Sequence, residues 1–309
     1  MSNPALKSIL KKTDDKIFEK LESLSLSELN SMLMEVFRRK ANTRKATSVM
    51  KAFSENRFVK PSAVDPLTFI QLELECLQVA RDNGFQCLQL SPLAPFGSCS
   101  GFALADQNKI VTALRGTEVV SDATNVLALH AINEGKQNGR SASDMHLSAV
   151  HRHVRAQSFS GKGFSAHFGV FCAVSSGRDR GSHLFEWEAL ERHLSLYTQL
   201  LKIPGLRVKI ILKVLSGPEN VIFTGLADRI IPRFSNIEIT VAQVDVDLHR
   251  YYSGLRFTMN VVYRDKEEYN IGDGGFVNWG EQLSGNKKER MLTSGLGTEL
   301  LYKLMHGKL

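Results

Sequence analysis

The sequence predicts an α+β fold, a sheet flanked by helices and preceded by a small helical segment. Three observations support it. Phe257-Thr258-Met259-Asn260-Val261-Val262-Tyr263 and Arg207 to Val214 alternate as half-buried strands do. Leu67 to Asp82 and Leu184 to Leu201 carry apolar residues at helical spacing. Residues 1 to about 55 are helical in pattern and are set off by Asn56 to Pro66, with its two prolines. The chain therefore divides into a helical extension, 1–55, and a core, 56–309.

Composition bounds the function classes. With 309 residues, 43% hydrophobic and 23% charged, the chain has the make-up of a soluble globular protein with ample sequence for a core. No apolar run approaches the roughly 20 residues of a membrane span. Met1 to Lys12 lacks the apolar centre of a signal peptide, so the expectation is a cytoplasmic protein with no membrane partner. Cys76, Cys87, Cys99 and Cys172 form no C-x-x-C pair, which disfavours zinc and disulfide frameworks alike. The formal charge of +7 and pI near 9.2 permit contact with RNA or another polyanion, and equally a solvated basic surface.

In the extension, Ile17, Leu21 and Leu24 share a helical face, Ser25 or Ser27 caps the next helix, and Leu29, Leu33, Val36 and Phe37 form its stripe. Arg38-Arg39-Lys40 and Arg44-Lys45 follow; cations at a helix C-terminus favour its dipole, and they also suit RNA phosphates. Leu67 to Asp82 places Ile70, Leu74 and Leu77 on one side and stops at Gly84. Phe85 to Leu90 reads as a short strand halted at Ser91-Pro92. A helix runs through Asn125 to Ala131, Phe168 to Val174 is a strand, and Pro204-Gly205 ends the helix begun at Leu184. Val221 to Phe234 reads as a helix, Ile237 to Val241 as a strand and Gly272 to Phe276 as turn-rich.

Five stretches in this order resemble the class II aminoacyl-tRNA synthetase core, most closely the histidyl type. They are the Leu67 to Pro92 helix-strand-proline unit, Leu114-Arg115-Gly116-Thr117, Val150-His151-Arg152-His153-Val154-Arg155-Ala156-Gln157, Tyr251-Tyr252-Ser253-Gly254 with Gly274-Gly275-Phe276, and Gly295-Leu296-Gly297-Thr298-Glu299-Leu300-Leu301. The resemblance implies a mostly antiparallel sheet and a homodimer built on the first unit. It implies an amino-acid pocket drawn from Thr117, Glu118, Tyr251, Tyr252, Arg256, Gly274 and Gly275, with Glu118 or Asp122 as the carboxylate for the substrate amine. Arg152 would be the catalytic arginine on the ATP α-phosphate; Arg155, Gln157, Gly295 and Gly297 would complete the nucleotide site, with magnesium bridging the phosphates.

The departures carry as much information. The family's "LRPEGT" lacks its Pro-Glu pair here, and Val154 replaces the glutamate of "FRHERPQ". Leu300 stands where "GxGxxRL" has its ATP-binding arginine, and leucine donates nothing to a phosphate. Asp247 and Arg250 exchange the signs of the "RGLDYY" run. The sequence leaves no room for the family's insertion domain and closes nine residues past Leu300, before an anticodon-binding domain. The expectation is a partly degenerate synthetase-like protein that binds a small ligand (an amino acid or nucleotide) or a partner enzyme in a regulatory role, as the similar ATP phosphoribosyltransferase regulatory subunit does. The alternatives are an ATP-dependent amino-acid-adenylating ligase with an unusual acceptor, and a non-catalytic RNA-binding module. Gly97-Ser98-Cys99-Ser100-Gly101 is a weak nucleophile elbow. The spacing of His146, His151, His153 and His167 matches no zinc pattern, so no metal site is expected.

Overall fold

The computed structural model describes residues 3–137, 144–157, 165–217, 220–245, 251–264 and 267–309. Helices α1 (Pro4–Lys12), α2 (Ile17–Glu22), α3 (Leu26–Asn42) and α4 (Ala46–Glu55) open the chain. Ser25 and Glu28 close a reciprocal capping box at the start of α3, so each satisfies a backbone N–H that the helix cannot. None of the four helices contributes a fully buried residue. Their apolar stripes leave Val36, Phe37, Val49, Met50 and Phe53 exposed.

Helix α5 (Pro66–Asp82) starts at the Asp65 cap, whose carboxylate accepts from the Thr68 N–H, and buries Phe69, Cys76 and Ala80. Strand β1 (Gln86–Cys87) is shorter than the sequence suggests. A small sheet follows, made of β2 (Leu93–Pro95), β3 (Thr112–Ala113) and β4 (Thr117–Val119) in the order β2-β4-β3. After α6 (Ala123–Gln137) come β5 (Met145–Val154), β6 (His167–Arg178), α7 (Leu184–Leu200), β7 (Leu206–Leu215), α8 (Asn220–Ile230) and β8 (Glu238–Val244). The chain closes with β9 (Ser253–Tyr263), β10 (Glu268–Val277), α9 (Trp279–Ser284), β11 (Glu289–Leu296) and α10 (Thr298–Met305).

The main sheet has eight strands in the order β1-β5-β6-β11-β10-β9-β7-β8. All central pairings are antiparallel; only the edge pairs β1/β5 and β7/β8 are parallel. Alternation of side chains sends Phe171, Phe257, Met259, Leu292 and Leu296 to one face, under α7 and α8. Val170, Cys172, Val174 and Met291 go to the other, under α6 and α9. Among the described residues no helix is long and apolar enough to cross a membrane.

One expectation is corrected here. Gly272 to Phe276 is not a turn but the middle of β10, paired with both β11 and β9. Its glycines serve close approach: a Cβ on Gly272 would lie 2.2 Å from the Gly295 carbonyl oxygen, and one on Gly274 would lie 2.5 Å from the Phe257 ring. A ladder bulge between Asn270 and Gly272 also re-aims the side chain that follows, Asp273.

Candidate functional site

A cavity of about 260 Å³ opens on the sheet face beneath the N-terminus of α6. Each wall follows from local structure. Asp122 precedes α6, and its Oδ1 accepts from the Thr124 N–H (3.0 Å) and hydroxyl (2.7 Å), the turn by which a short acid starts a helix. The Tyr251 hydroxyl donates to Asp122 Oδ2 at 3.3 Å. Tyr251 stacks edge-on against Tyr252 (4.7 Å between centroids) and Trp279 (5.4 Å), so both phenol rings are held as rigid walls.

Asp273 projects from the middle of β10 into the cavity. Water reaches its carboxylate there, while the surrounding walls exclude most bulk solvent. That desolvation, together with the nearby Asp122 charge, raises its carboxyl above the ordinary value; hydrogen bonding by Tyr252 and the charges of Arg155 and Arg256 act the other way. Gly295 and Gly297, at the junction of β11 and α10, leave the floor open.

Strand parity decides which basic residues arrive. His153 and Arg155 face the cavity; Arg152 does not line it, because adjacent residues of β5 point to opposite faces. Arg155 donates from Nε to the Ser121 carbonyl (3.1 Å) and packs over the Phe168 ring. Arg152 instead lies over Phe69 and donates to Glu299 Oε2 at 2.9 Å and to His167 Nδ1 at 2.8 Å. Glu299 is 1% exposed and is also held by Lys303 (2.8 Å) and the Ser62 hydroxyl (2.7 Å). Burial opposes its ionisation, but the Lys303 and Ser62 hydrogen bonds and the charges of Lys303 and Arg152 prevail and hold its carboxyl below the ordinary value.

The other sequence-predicted residues divide. Tyr251, Tyr252, Arg155, Gly295 and Gly297 line the cavity. Thr117 and Glu118 do not: Thr117 donates to the Leu114 carbonyl, and Glu118 is fully buried, accepting from the Gly97 and Cys99 N–H groups and from Gln107. Of the two candidate carboxylates, Asp122 is therefore the one at the cavity. Gly274 and Gly275 pack against neighbouring strands, and Arg256 sits one strand beyond the lining, opposite Gly275. Gln157 lines an adjoining cavity of about 310 Å³ that shares Asp122, Arg155 and Tyr251 with the first. Asp247 and Arg250 lie outside the described residues. Sequence reasoning missed Asp273 and Glu299.

Two other chemistries find poor support. Among the described residues Asp122, His153 and Cys172 bring ligand atoms within 4.8 Å of one another. His153 Nε2, however, already accepts the Ala123 N–H at 3.0 Å, and burial drives the Cys172 thiol well above its ordinary value. A ring nitrogen already engaged as an acceptor and an un-ionised thiol are poor ligands for a metal ion. Burial likewise pushes the Cys99 thiol up to about 11, and it contacts Ser121 and Asn125 rather than a base.

No protein-family model matches the chain and no curated protein matches it. Solved structures do. An ATP phosphoribosyltransferase regulatory subunit/histidyl-tRNA synthetase from Bacillus halodurans superposes with a TM-score of 0.60 at 11% identity, over 81% of this chain and 82% of that one. The apo histidyl-tRNA synthetase of S. aureus gives 0.57 at 12% identity, over 80% and 70%. A threonyl-tRNA synthetase RNA-binding domain from Cryptosporidium parvum gives 0.59 at 11%, over 81% and 69%. The antiparallel sheet, the flanking helices and these likenesses together give the chain the fold of a class II aminoacyl-tRNA synthetase core.

Proposed function

We propose that this protein binds a small amine-bearing ligand of amino-acid size in the cavity under α6, in a regulatory role, and does not activate it with ATP. The observation that carries this reading is the capture of Arg152 by Glu299. An arginine that is to steady a phosphate needs its guanidinium fork presented to the ligand. Here a buried carboxylate of the same chain takes that place, with Leu300 beside it in the cavity wall. Asp122 and Asp273 further disfavour the four negative charges of ATP and suit an ammonium group. Titration calorimetry is expected to give saturable heat with at least one amino acid, and none with ATP and magnesium; ATP binding at micromolar affinity would overturn the reading.

The regulatory part rests on likeness to the Bacillus halodurans protein, named as an ATP phosphoribosyltransferase regulatory subunit/histidyl-tRNA synthetase, and a partner enzyme is the corresponding expectation. The ligase reading keeps one specific support, since Arg155 does enter the cavity and could meet a phosphate there. Self-association is the remaining part. Helix α5 leaves Leu67, Ile70 and Leu74 at 78%, 58% and 45% exposure along one side, an apolar strip for a second copy. Sedimentation is expected to report a dimer that Ile70→Glu converts to monomer; a wild-type monomer at micromolar concentration would refute this.

A further inference from the structure

The charges around the cavity specify more than an amine. The carboxylates and bases that line it are Asp122, Asp273, Glu299, Arg155 and His153; burial keeps the Cys172 thiol and the Tyr251 and Tyr252 phenols un-ionised. Glu299 is already neutralised by Arg152 and Lys303, and burial pushes His153 down to about 3, so it is uncharged. Two carboxylates and one guanidinium remain to meet a ligand. Arg256, one strand beyond, is a weaker influence on Asp273 than Arg155.

Their placement is ordered. Asp122, Arg155 and Tyr251 also line the adjoining cavity, so they cluster at the passage between the two. Asp273 and Tyr252 line the first cavity alone. A zwitterionic head with an ammonium and a carboxylate matches the Asp122–Arg155 end. A second cation matches Asp273, which shares the cavity wall with two tyrosine rings, and the face of such a ring also favours positive charge.

Resting on the amino-acid reading above, we infer that the ligand is a basic amino acid, with two cationic groups and one carboxylate, its distal cation held by Asp273. Complementary charges in a partly dry cavity discriminate strongly, because an unmatched carboxylate loses water without gaining a partner. Desolvation first, and then the Asp122 charge, raise the proton affinity of Asp273, and a bound cation offsets both.

The test is titration of the full chain at neutral pH with lysine, arginine and norleucine, the last matching lysine in carbon skeleton but lacking the distal cation. Lysine or arginine is expected to bind about tenfold to a hundredfold more tightly than norleucine, the range of one charge-assisted hydrogen bond. Asp273→Asn should erase that preference by weakening lysine and arginine without weakening norleucine, whose stranded carboxylate it removes, whereas Asp122→Asn should weaken all three. Circular dichroism spectra are to check that both variants fold. Norleucine binding as tightly as lysine, or Asp273→Asn weakening both equally, overturns the inference while the amino-acid reading survives. Failure of every amino acid to bind removes that reading, and the inference with it.

Discussion

Acidification from about pH 7 to about pH 5.5 is expected to destabilise the fold by about 4 kcal/mol. The cause is a set of histidines folded in the neutral form. His153 and His193 are 1% and 0% exposed, and burial lowers both, His153 to about 3 and His193 well below its ordinary 6.5. His146, mostly buried, falls to about 4 for the same reason, with the Arg192 charge adding to it. Their hydrogen bonds suit neutral rings: His153 Nε2 accepts from the Ala123 N–H, and His193 bridges Ser175 and Ser294. Below about pH 6.5 the unfolded chain takes up these protons and the folded chain does not, so stability rises with pH and is lost as pH falls. Each histidine contributes about 1.4 kcal/mol per pH unit once well below 6.5. Glu73 and Asp144, whose carboxyls are raised chiefly by burial, act in the opposite direction where carboxylates titrate. Urea midpoints measured at the two pH values check the result; a midpoint unchanged by pH would contradict the neutral, buried placement of these rings.

Replacing Glu299 by alanine is expected to cost about 3 kcal/mol. The substitution strands Lys303, 8% exposed at its side chain, and Arg152 without their shared carboxylate, and it removes the acceptor for Ser62. Leaving the buried Lys303 unmatched is far more costly than the net gain from any surface ion pair, while the half-exposed Arg152 keeps His167 and water. Because the vacated space then holds two cations, inorganic phosphate should raise the melting temperature of Glu299→Ala and leave the wild type unchanged. Equal stability of variant and wild type in urea, with no phosphate effect, would show that Glu299 does not hold Arg152 in solution.

Much of this architecture was legible because periodicity is written locally. The helices Pro66–Asp82 and Leu184–Leu200 and the strands Leu206–Leu215 and Ser253–Tyr263 lie close to where apolar spacing puts them. The order of five short stretches was enough to suggest the synthetase-like sheet. What failed depends on contacts distant in sequence. Gly272-Asp273-Gly274-Gly275 has turn composition, and only the strands on either side reveal that its glycines serve close approach and aim Asp273 inward. The choice between Arg152 and Arg155 turns on strand parity near the end of β5, where a motif match cannot tell which face a side chain takes. Glu299 sits within the quoted closing motif, but its partner Arg152 is 147 residues away, so its role emerges only on folding. An acid between glycines in an alternating region was the available signal for Asp273.

The most direct test of the central claim is amino-acid-dependent exchange of labelled pyrophosphate into ATP, with magnesium, across all twenty amino acids. No exchange above an Arg155→Ala control is expected, because Arg152 is bound to Glu299 and Leu300, in the cavity wall, offers no donor to a phosphate. Exchange with any amino acid, abolished by Arg155→Ala, would contradict it and establish a working adenylation site.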